Sequence, residues 1–368
     1  MRFGAGAALY GPRALPSAMA GTLRDATVRV EDPAEASTLL NKGSFGEPRP
    51  GGGLDLTLIE ATYLVDAGRL AVTAPAGPVP LPDLFRHGHG VVPGFEVRYL
   101  VYRDLRQRGY VVKEAPAPLD FRVYPRGGAP KRTPSKYGVV AVNERSVFDL
   151  DGLQAHVRRA GAARKNLLLA VVDEESDLTY YAVREVTPRG RVPRESNASR
   201  VPAHLLEDRA TVLDEGQATR LHAQGFYGKL VGARLQLSLL EAAYLLESGA
   251  IELRRSDTNR SVTLAALRTQ ARRLQPDFDL RMRVYKDLKD RAIVAKTGFK
   301  YGSHFRAYEG DPERVHAKYL VHALPAEHRG MWPEVSRAVR LAHGVKKDLL
   351  FASVGDDVSY LRLERVRP

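Results

Sequence analysis

A long internal repeat constrains the fold of this chain more than any other feature of its sequence. The segment Leu54–Leu64 recurs as Leu235–Leu245, with Leu, Glu, Ala, Tyr and Leu at the same places in both copies. Shorter matches follow at similar spacing: Tyr102–Leu105 with Tyr285–Leu288, Phe121–Tyr124 with Phe305–Tyr308, Lys136–Tyr137 with Lys318–Tyr319, and Arg164–Leu168 with Lys346–Leu350. The chain is therefore predicted to be a tandem duplication of a unit of roughly 170–180 residues.

Both copies contain the same signal for the start of a helix. Thr57 precedes Glu60 by three residues, and Ser238 precedes Glu241 by three, each before an apolar helical pattern. Such a hydroxyl accepts a hydrogen bond from a free backbone N–H while the Glu bonds back to the cap, which is a capping box. Glycines suited to a left-handed C-terminal turn end both predicted helices: Gly68 and Gly249.

The remaining periodicity predicts an α/β (α+β) fold in which each unit has two parts. A small N-terminal part of helices and strands precedes a C-terminal part with a mixed sheet flanked by helices. The latter begins with an amphipathic helix, near 95–108 and 278–291. The predicted boundaries are a flexible extension 1–22, first-copy parts 23–95 and 96–186, a Pro/Gly/Ser/Arg-rich linker 187–200, and second-copy parts 201–275 and 276–368.

Composition narrows the classes of function. A formal net charge of +13 favours a polyanionic partner such as nucleic acid. The chain has no cysteine, which excludes disulfides, cysteine-based zinc sites and thiol nucleophiles. No apolar run reaches the ~18–20 residues of a membrane span, and glycine and proline interrupt the N-terminus too often for a signal peptide. A cytoplasmic protein is expected, with Met1 or Met19 as its start.

Three residues of the last stretch could cleave RNA without a metal. Tyr308, His316 and Lys347 each lie beside a short apolar run. This region resembles the catalytic domain of the archaeal tRNA-splicing endonuclease (tRNA-intron lyase), and the resemblance covers residues 28–367 in two copies. It implies a nuclease-like C-terminal part, no cofactor or metal, and cutting of precursor tRNA at bulge–helix–bulge junctions into 2′,3′-cyclic phosphate and 5′-hydroxyl ends. It also implies that Arg340 and Arg362 grip a bulged base from both sides.

The chemistry of the side chains fits the roles that the resemblance assigns. Histidine has an ordinary pKa of ~6.5 and suits the general acid, His316. A fixed lysine stabilises the charge of the phosphorane, which assigns Lys347. Tyr308 is then the base, although a phenol is weak in that role without a nearby cation. Each residue alone is more often structural: a half-buried Tyr, a solvated His or a helix-terminal Lys. The other histidines are expected to be structural or close to RNA: His304, His322, His328 and His343.

The two copies differ at one decisive position. The first keeps Tyr124 and Lys165, but Pro134 stands where the second has His316, and proline cannot transfer a proton. The first copy is therefore predicted to be a degenerate, structural unit. This pattern resembles the two-repeat homodimeric class, in which an acidic loop of the structural unit contacts a neighbouring catalytic unit. The segment Asp173–Asp177 fits that loop, or is a solvated hairpin turn.

Two other functions remain open on sequence alone. A non-catalytic RNA-binding or scaffold subunit would explain the charge, although the second copy keeps all three candidate side chains. A metal-dependent nuclease would need carboxylates near Lys347, and Asp348, Asp356 and Asp357 are the candidates. Cleavage in EDTA would separate the metal-dependent function from the metal-free one.

Overall fold

The computed structural model describes residues 18–192 and 200–368. Residues 1–17 of the predicted extension and 193–199 of the predicted linker lie outside this described part. The extension was expected to reach residue 22, but Met19–Leu23 forms strand β1 and pairs in parallel with Leu70–Ala74. The backbone of Met19–Leu23 is therefore hydrogen-bonded within a sheet. Within the described ranges, no helix is long and apolar enough to cross a membrane.

Compactness divides the chain into two units at a place other than the repeat boundary. Unit 1 runs to Asn143 and includes Glu174–Leu178, whereas unit 2 consists of Glu144–Asp173 and Thr179–Pro368. The division falls inside the predicted first-copy part 96–186. The physical reason is the antiparallel pairing of Tyr180–Val186 with Tyr360–Val366, which joins the end of that part to the second copy.

From residue 18 onward, unit 1 contains four helices and a mixture of short strands. Its helices are α1 (Pro33–Gly43), α2 (Leu58–Asp66), α3 (Leu81–Val91) and α4 (Phe95–Gln107). Its strands are β1 (Met19–Leu23), β2 (Thr27–Val30), β3 (Glu47–Pro48), β4 (Leu54–Thr57), β5 (Leu70–Ala74), β6 (Gly77–Val79), β7 (Val111–Glu114), β8 (Phe121–Tyr124) and β9 (Tyr137–Asn143). The first six form a sheet in the order β3-β4-β2-β1-β5-β6, and β8 pairs with both β7 and β9.

Unit 2 repeats these elements and adds the end of the first copy. Its helices are α5 (Leu150–Ala162), α6 (Glu215–Gly225), α7 (Leu239–Glu247), α8 (Leu264–Leu274), α9 (Phe278–Asp290) and α10 (Trp332–Gly344), with a 3₁₀ turn at Phe299–Tyr301. The strands that lead up to α9 are β10 (Val147–Asp149), β11 (Asn166–Val172), β12 (Leu178–Val186), β13 (Val201–Leu205), β14 (Arg209–Val212), β15 (Lys229–Val231), β16 (Arg234–Ser238) and β17 (Ile251–Arg255). Those after α9 are β18 (Val294–Thr297), β19 (Phe305–Tyr308), β20 (Tyr319–Pro325), β21 (Arg329–Met331), β22 (Asp348–Val354) and β23 (Val358–Val366).

The large sheet of unit 2 places its strands in the order β18-β19-β20-β22-β23-β12-β11. Only β20 and β22 among the second-copy neighbours are parallel; the others pair antiparallel. Side chains alternate between the two faces of a strand. Leu350 and Tyr360 lie in the core under α9, where the Tyr360 hydroxyl donates to Asp287 at 2.6 Å. Leu349 and Leu363 face α10 instead, so α9 and α10 cover opposite faces of the second-copy strands.

Both predicted capping boxes are present. The Glu60 N–H donates to the Thr57 hydroxyl at 3.2 Å, and the Glu241 N–H donates to the Ser238 hydroxyl at 3.2 Å. Gly68 and Gly249 have φ values of 65° and 72°, the left-handed conformation that glycine adopts without strain. The two copies therefore start and end this helix by the same local chemistry.

Candidate functional site

Three strand ends of unit 2 meet at Lys318. Its backbone N–H donates to the carbonyl of Ala307 at 3.0 Å, and its carbonyl accepts from the N–H of Asp348 at 2.9 Å. Tyr308 follows Ala307, His316 lies two residues before Lys318, and Lys347 precedes Asp348. The fold thus brings the three predicted catalytic residues to one edge of the sheet, although they are distant in sequence.

Tyr308 and Lys347 lie on the α10 face of this edge. Ala307 and Tyr319 are paired in register and lie in the core under α9, so the alternate residue Tyr308 points to the other face. There it is 7% exposed and packs with Val294 and Ala317. Lys347 lines a cavity of ≈ 470 Å³ between α10 and the ends of β22 and β23.

The charged lining of this cavity is mixed in sign. Lys347 shares it with the basic side chains Lys346 and Arg365, and with the carboxylates of Asp348 and Glu364. The Lys347 ammonium donates to the Val345 carbonyl at 3.2 Å. This bond lies within the turn that precedes β22.

His316 lies on the exposed loop between β19 and β20. An ion pair closes this loop: the Lys318 ammonium donates to Glu309 at 2.7 Å, and the Tyr319 hydroxyl donates to the same oxygen at 2.8 Å. Burial alone would raise the Glu309 pKa, but these two hydrogen bonds outweigh it and hold the pKa below its ordinary value. The ionised Glu309 thus holds the start of β20, three residues after His316.

Sequence reasoning missed two neighbours of the candidate residues. The guanidinium of Arg306 lies 5.8 Å from the Tyr308 ring centroid, and the Tyr301 ring centroid lies 5.7 Å from the Lys347 ammonium. Each places π-electron density beside a cation, a favourable arrangement. Two signals for them were present in the sequence. Both residues belong to the segment from Lys300 to Tyr308, and alternation within a strand places Arg306 and Tyr308 on the same face.

Arg340 and Arg362, the two arginines predicted to grip a bulged base, lie on different elements, α10 and β23. Arg340 lines a cavity of ≈ 250 Å³ on the α10 side, with Trp332 and Tyr181. Arg362 is paired in register with Leu350, whose side chain lies under α9, and its guanidinium contacts Asp348 at 3.0 Å. The two side chains start from opposite faces of the sheet.

The first copy retains the same type of cavity. A space of ≈ 420 Å³ is lined by Val157, Gly161, Lys165, Asn166, Leu167, Val183, Arg184 and Glu185, with Arg158. The first eight occupy the repeat positions of Val339, His343, Lys347, Asp348, Leu349, Leu363, Glu364 and Arg365. The duplication therefore extends to the surface around the lysine, while Pro134 replaces the histidine.

Within residues 18–192 and 200–368, no three His, Asp or Glu side chains converge in a way that could hold a metal ion. The carboxylates considered for a metal site are used otherwise: Asp348 pairs with Arg362 at 3.0 Å, and Asp356 and Asp357 lie in the turn between β22 and β23. The described donors do not form a metal site.

Two family models match the sequence, each of them twice. The model of the "tRNA intron endonuclease, N-terminal domain" matches residues 19–84 and 201–268. The model of the "tRNA intron endonuclease, catalytic C-terminal domain" matches residues 95–180 and 278–360. The predicted duplication of a two-part unit is confirmed by this arrangement.

Relatives of similar length come from archaea. The tRNA-splicing endonuclease of Methanococcoides burtonii is 40% identical over 336 residues, which are 89% of this chain and 94% of that protein. The tRNA-splicing endonuclease of Methanosarcina acetivorans is 39% identical over 334 residues, 89% of this chain and 94% of the relative. That of Halobacterium salinarum is 35% identical over 371 residues, 95% of this chain and all of the relative.

Proposed function

The chain belongs to the tRNA intron endonuclease family, and we propose that it excises introns from precursor tRNA at bulge–helix–bulge junctions without a metal ion. The reaction is an internal transesterification of RNA. It leaves a 2′,3′-cyclic phosphate on one fragment and a 5′-hydroxyl on the other. This proposal is carried by the junction at Lys318, which sets Tyr308, His316 and Lys347 around one edge of the sheet.

The three side chains divide the chemistry among them. Tyr308, as the general base, accepts the proton of the 2′-hydroxyl while the 2′-oxygen bonds to phosphorus. The bond from phosphorus to the 5′-oxygen breaks, and the imidazolium of His316 gives its proton to that oxygen. Lys347 stabilises the negative charge that the phosphorane gathers between these two events. No water is consumed, so the product is the cyclic phosphate.

Recognition of the RNA rests on charge and on unpaired bases. Lys and Arg side chains neutralise phosphates, so affinity falls as salt rises. Arg340 and Arg362 supply planar guanidinium groups that can stack on a splayed base.

We also propose that the protein acts as a homodimer with two active sites. Each chain supplies one copy of the repeat with the full set of side chains and one copy with Pro134. The contact assigned to the structural unit is the segment Asp173–Asp177, whose residues Glu174–Asp177 are exposed. It carries four carboxylates, a charge that complements a basic surface of the partner chain.

Cleavage of a synthetic bulge–helix–bulge RNA in EDTA tests the proposed reaction. Wild-type protein is expected to make two cuts, each of which leaves a cyclic phosphate. The cyclic phosphate is identified by its mass and by the failure of an RNA ligase to join that end before the phosphate is removed. His316→Ala should lower the cleavage rate by roughly 10²–10⁴, the usual contribution of a general acid.

A pair of adjacent lysines provides a matched control. Lys347→Ala should lower the rate by roughly 10²–10³, because it removes charge stabilisation from the transition state. Lys346→Ala removes an equal charge from the same cavity and should change the rate by less than about threefold. Cleavage only with added Mg²⁺, or equal losses in both lysine variants, would contradict the mechanism.

A further inference from the structure

Phe299 is held in water next to the candidate site. Its side chain is 86% exposed, and the next most exposed large hydrophobic residue in the described ranges is Val147 at 58%. An aromatic ring normally contributes to stability by burying its area. This ring buries almost none, so folding does not explain its presence.

The loop that carries Phe299 is tightly built. The N–H of Tyr301 donates to the Gly298 carbonyl at 2.8 Å, and the N–H of Gly298 donates to the His304 carbonyl at 3.1 Å. A Cβ on Gly298 would overlap the hydroxyl of Ser303, which is buried and itself bonds to the Phe305 carbonyl at 3.2 Å. The backbone therefore presents Phe299 in a fixed position.

The same loop contacts the candidate charge stabiliser. Tyr301, two residues after Phe299, has its ring centroid 5.7 Å from the Lys347 ammonium. Lys300 lies between the two aromatic residues and is exposed. An exposed ring, a cation and the site lysine thus occupy one short stretch of surface.

The first copy lacks this feature. Its equivalent loop, between β7 and β8, is Ala115-Pro116-Ala117-Pro118-Leu119-Asp120 and contains no aromatic residue. This is also the copy in which Pro134 replaces the histidine. The exposed ring therefore accompanies the complete set of catalytic side chains.

We propose that Phe299 stacks on one unpaired nucleobase beside the scissile phosphate. The inference rests on the proposed function, and it adds a base contact separate from the arginines. A base is the occupant because Lys300 and Lys347 neutralise the flanking phosphates, and any base offers a flat face to an aromatic ring. The contact holds the bulged strand with its phosphate at the sheet edge.

Kinetics with altered RNA test this stacking. F299A should raise KM about tenfold and leave kcat within about threefold, and F299W should restore KM. The control V231A, which shortens another exposed hydrophobic side chain on β15, should leave KM unchanged. Each bulge nucleotide is then replaced in turn by an abasic one. At one position the KM of wild-type protein should rise about tenfold, whereas the KM of F299A should rise no further.

Binding to an uncleavable RNA keeps the inference independent of catalysis. With a 2′-deoxy nucleotide at each cut, F299W should show quenching of its indole fluorescence, since the natural Trp332 is only 5% exposed. Equal KM values for F299A and wild type would overturn the stacking. So would effects of F299A and of the abasic nucleotide on KM that add up at every position. Quenching in a protein that never cuts would refute the proposed function and leave the stacking supported.

Discussion

Tyr308, Lys347 and His316 differ in how firmly the fold holds them. Tyr308 is 7% exposed and packs with Val294, and Lys347 bonds to the carbonyl of Val345 at 3.2 Å. His316 projects from an exposed loop. Substitution of Tyr308 is therefore expected to affect stability as well as cleavage, whereas substitution of His316 acts on cleavage alone.

His322 makes stability depend on pH below neutrality. Burial, and then the charge of His304, lower its pKa from 6.5 to about 4. The nearby groups are His304, whose own pKa is also lowered by burial, with Asp277 and Arg281 beside it. The unfolded chain takes up a proton near pH 6.5 while the folded chain does not, so stability is lost as pH falls below that value.

Chemical denaturation should show this loss. Between pH 7 and pH 5 the His322 contribution should lower the free energy of unfolding by about 2 kcal/mol. His322→Phe, which places a ring beside Phe351, should remove that part of the pH dependence. His316→Ala, at an exposed position, should retain it. A wild-type stability that is flat over this range would contradict the prediction.

At the scale of elements, a buried ion pair ties the capped helix of each copy to the first strand of that copy's C-terminal part. Glu60 of α2 contacts Lys113 of β7 at 2.8 Å, and Glu241 of α7 contacts Lys296 of β18 at 3.3 Å. Burial alone would raise the Glu241 pKa, but Lys296 and the bonded N–H groups hold it below its ordinary value. The pair therefore joins the N-terminal and C-terminal parts within each unit.

Removing one partner of this pair should be costly. Lys296→Met leaves the 7%-exposed Glu241 without its cation and should lower the free energy of unfolding by about 3–5 kcal/mol at neutral pH. Lys286→Met breaks the exposed pair with Glu247, 2.9 Å apart, and should cost less than about 1 kcal/mol. Urea denaturation at one protein concentration compares the two, and similar costs would refute the special role of the buried pair.

Local chemistry explains which elements could be predicted. The Thr57 and Ser238 caps are signalled within three residues, so both helices were found with their starts. The pairing of β12 with β23 joins segments about 180 residues apart, and neither strand carries a local sign of its partner. For the same reason the order of Tyr308, His316 and Lys347 was visible, but the junction at Lys318 and the opposite faces of Arg340 and Arg362 were not.

At the scale of the whole molecule, duplication has separated two tasks. Both copies keep the cavity around a lysine, Lys165 or Lys347, yet only the second has the histidine and the exposed Phe299. If His316 is the general acid, as proposed, the replacement of His by Pro134 in the first copy removes a cleavage site and keeps the pairing of β12 with β23. On that mechanism we expect two chains to make the two cuts in one precursor.

The acidic segment Asp173–Asp177 should govern association of those chains. Glu174→Gln with Glu175→Gln removes two charges and keeps the shape of the turn. The dissociation constant of the dimer should then rise about tenfold, because steering and pairing by these charges are lost. Sedimentation equilibrium at low salt measures it.

The second copy supplies the control for this experiment, since Asp356 and Asp357 occupy the equivalent turn between β22 and β23. Asp356→Asn with Asp357→Asn removes two carboxylates from that turn and should leave the dissociation constant unchanged. Equal weakening in both variants would indicate a general charge effect instead of a specific contact. A monomeric wild-type protein that makes both cuts would remove the need for a second chain, because one complete set of side chains would then serve both junctions in turn.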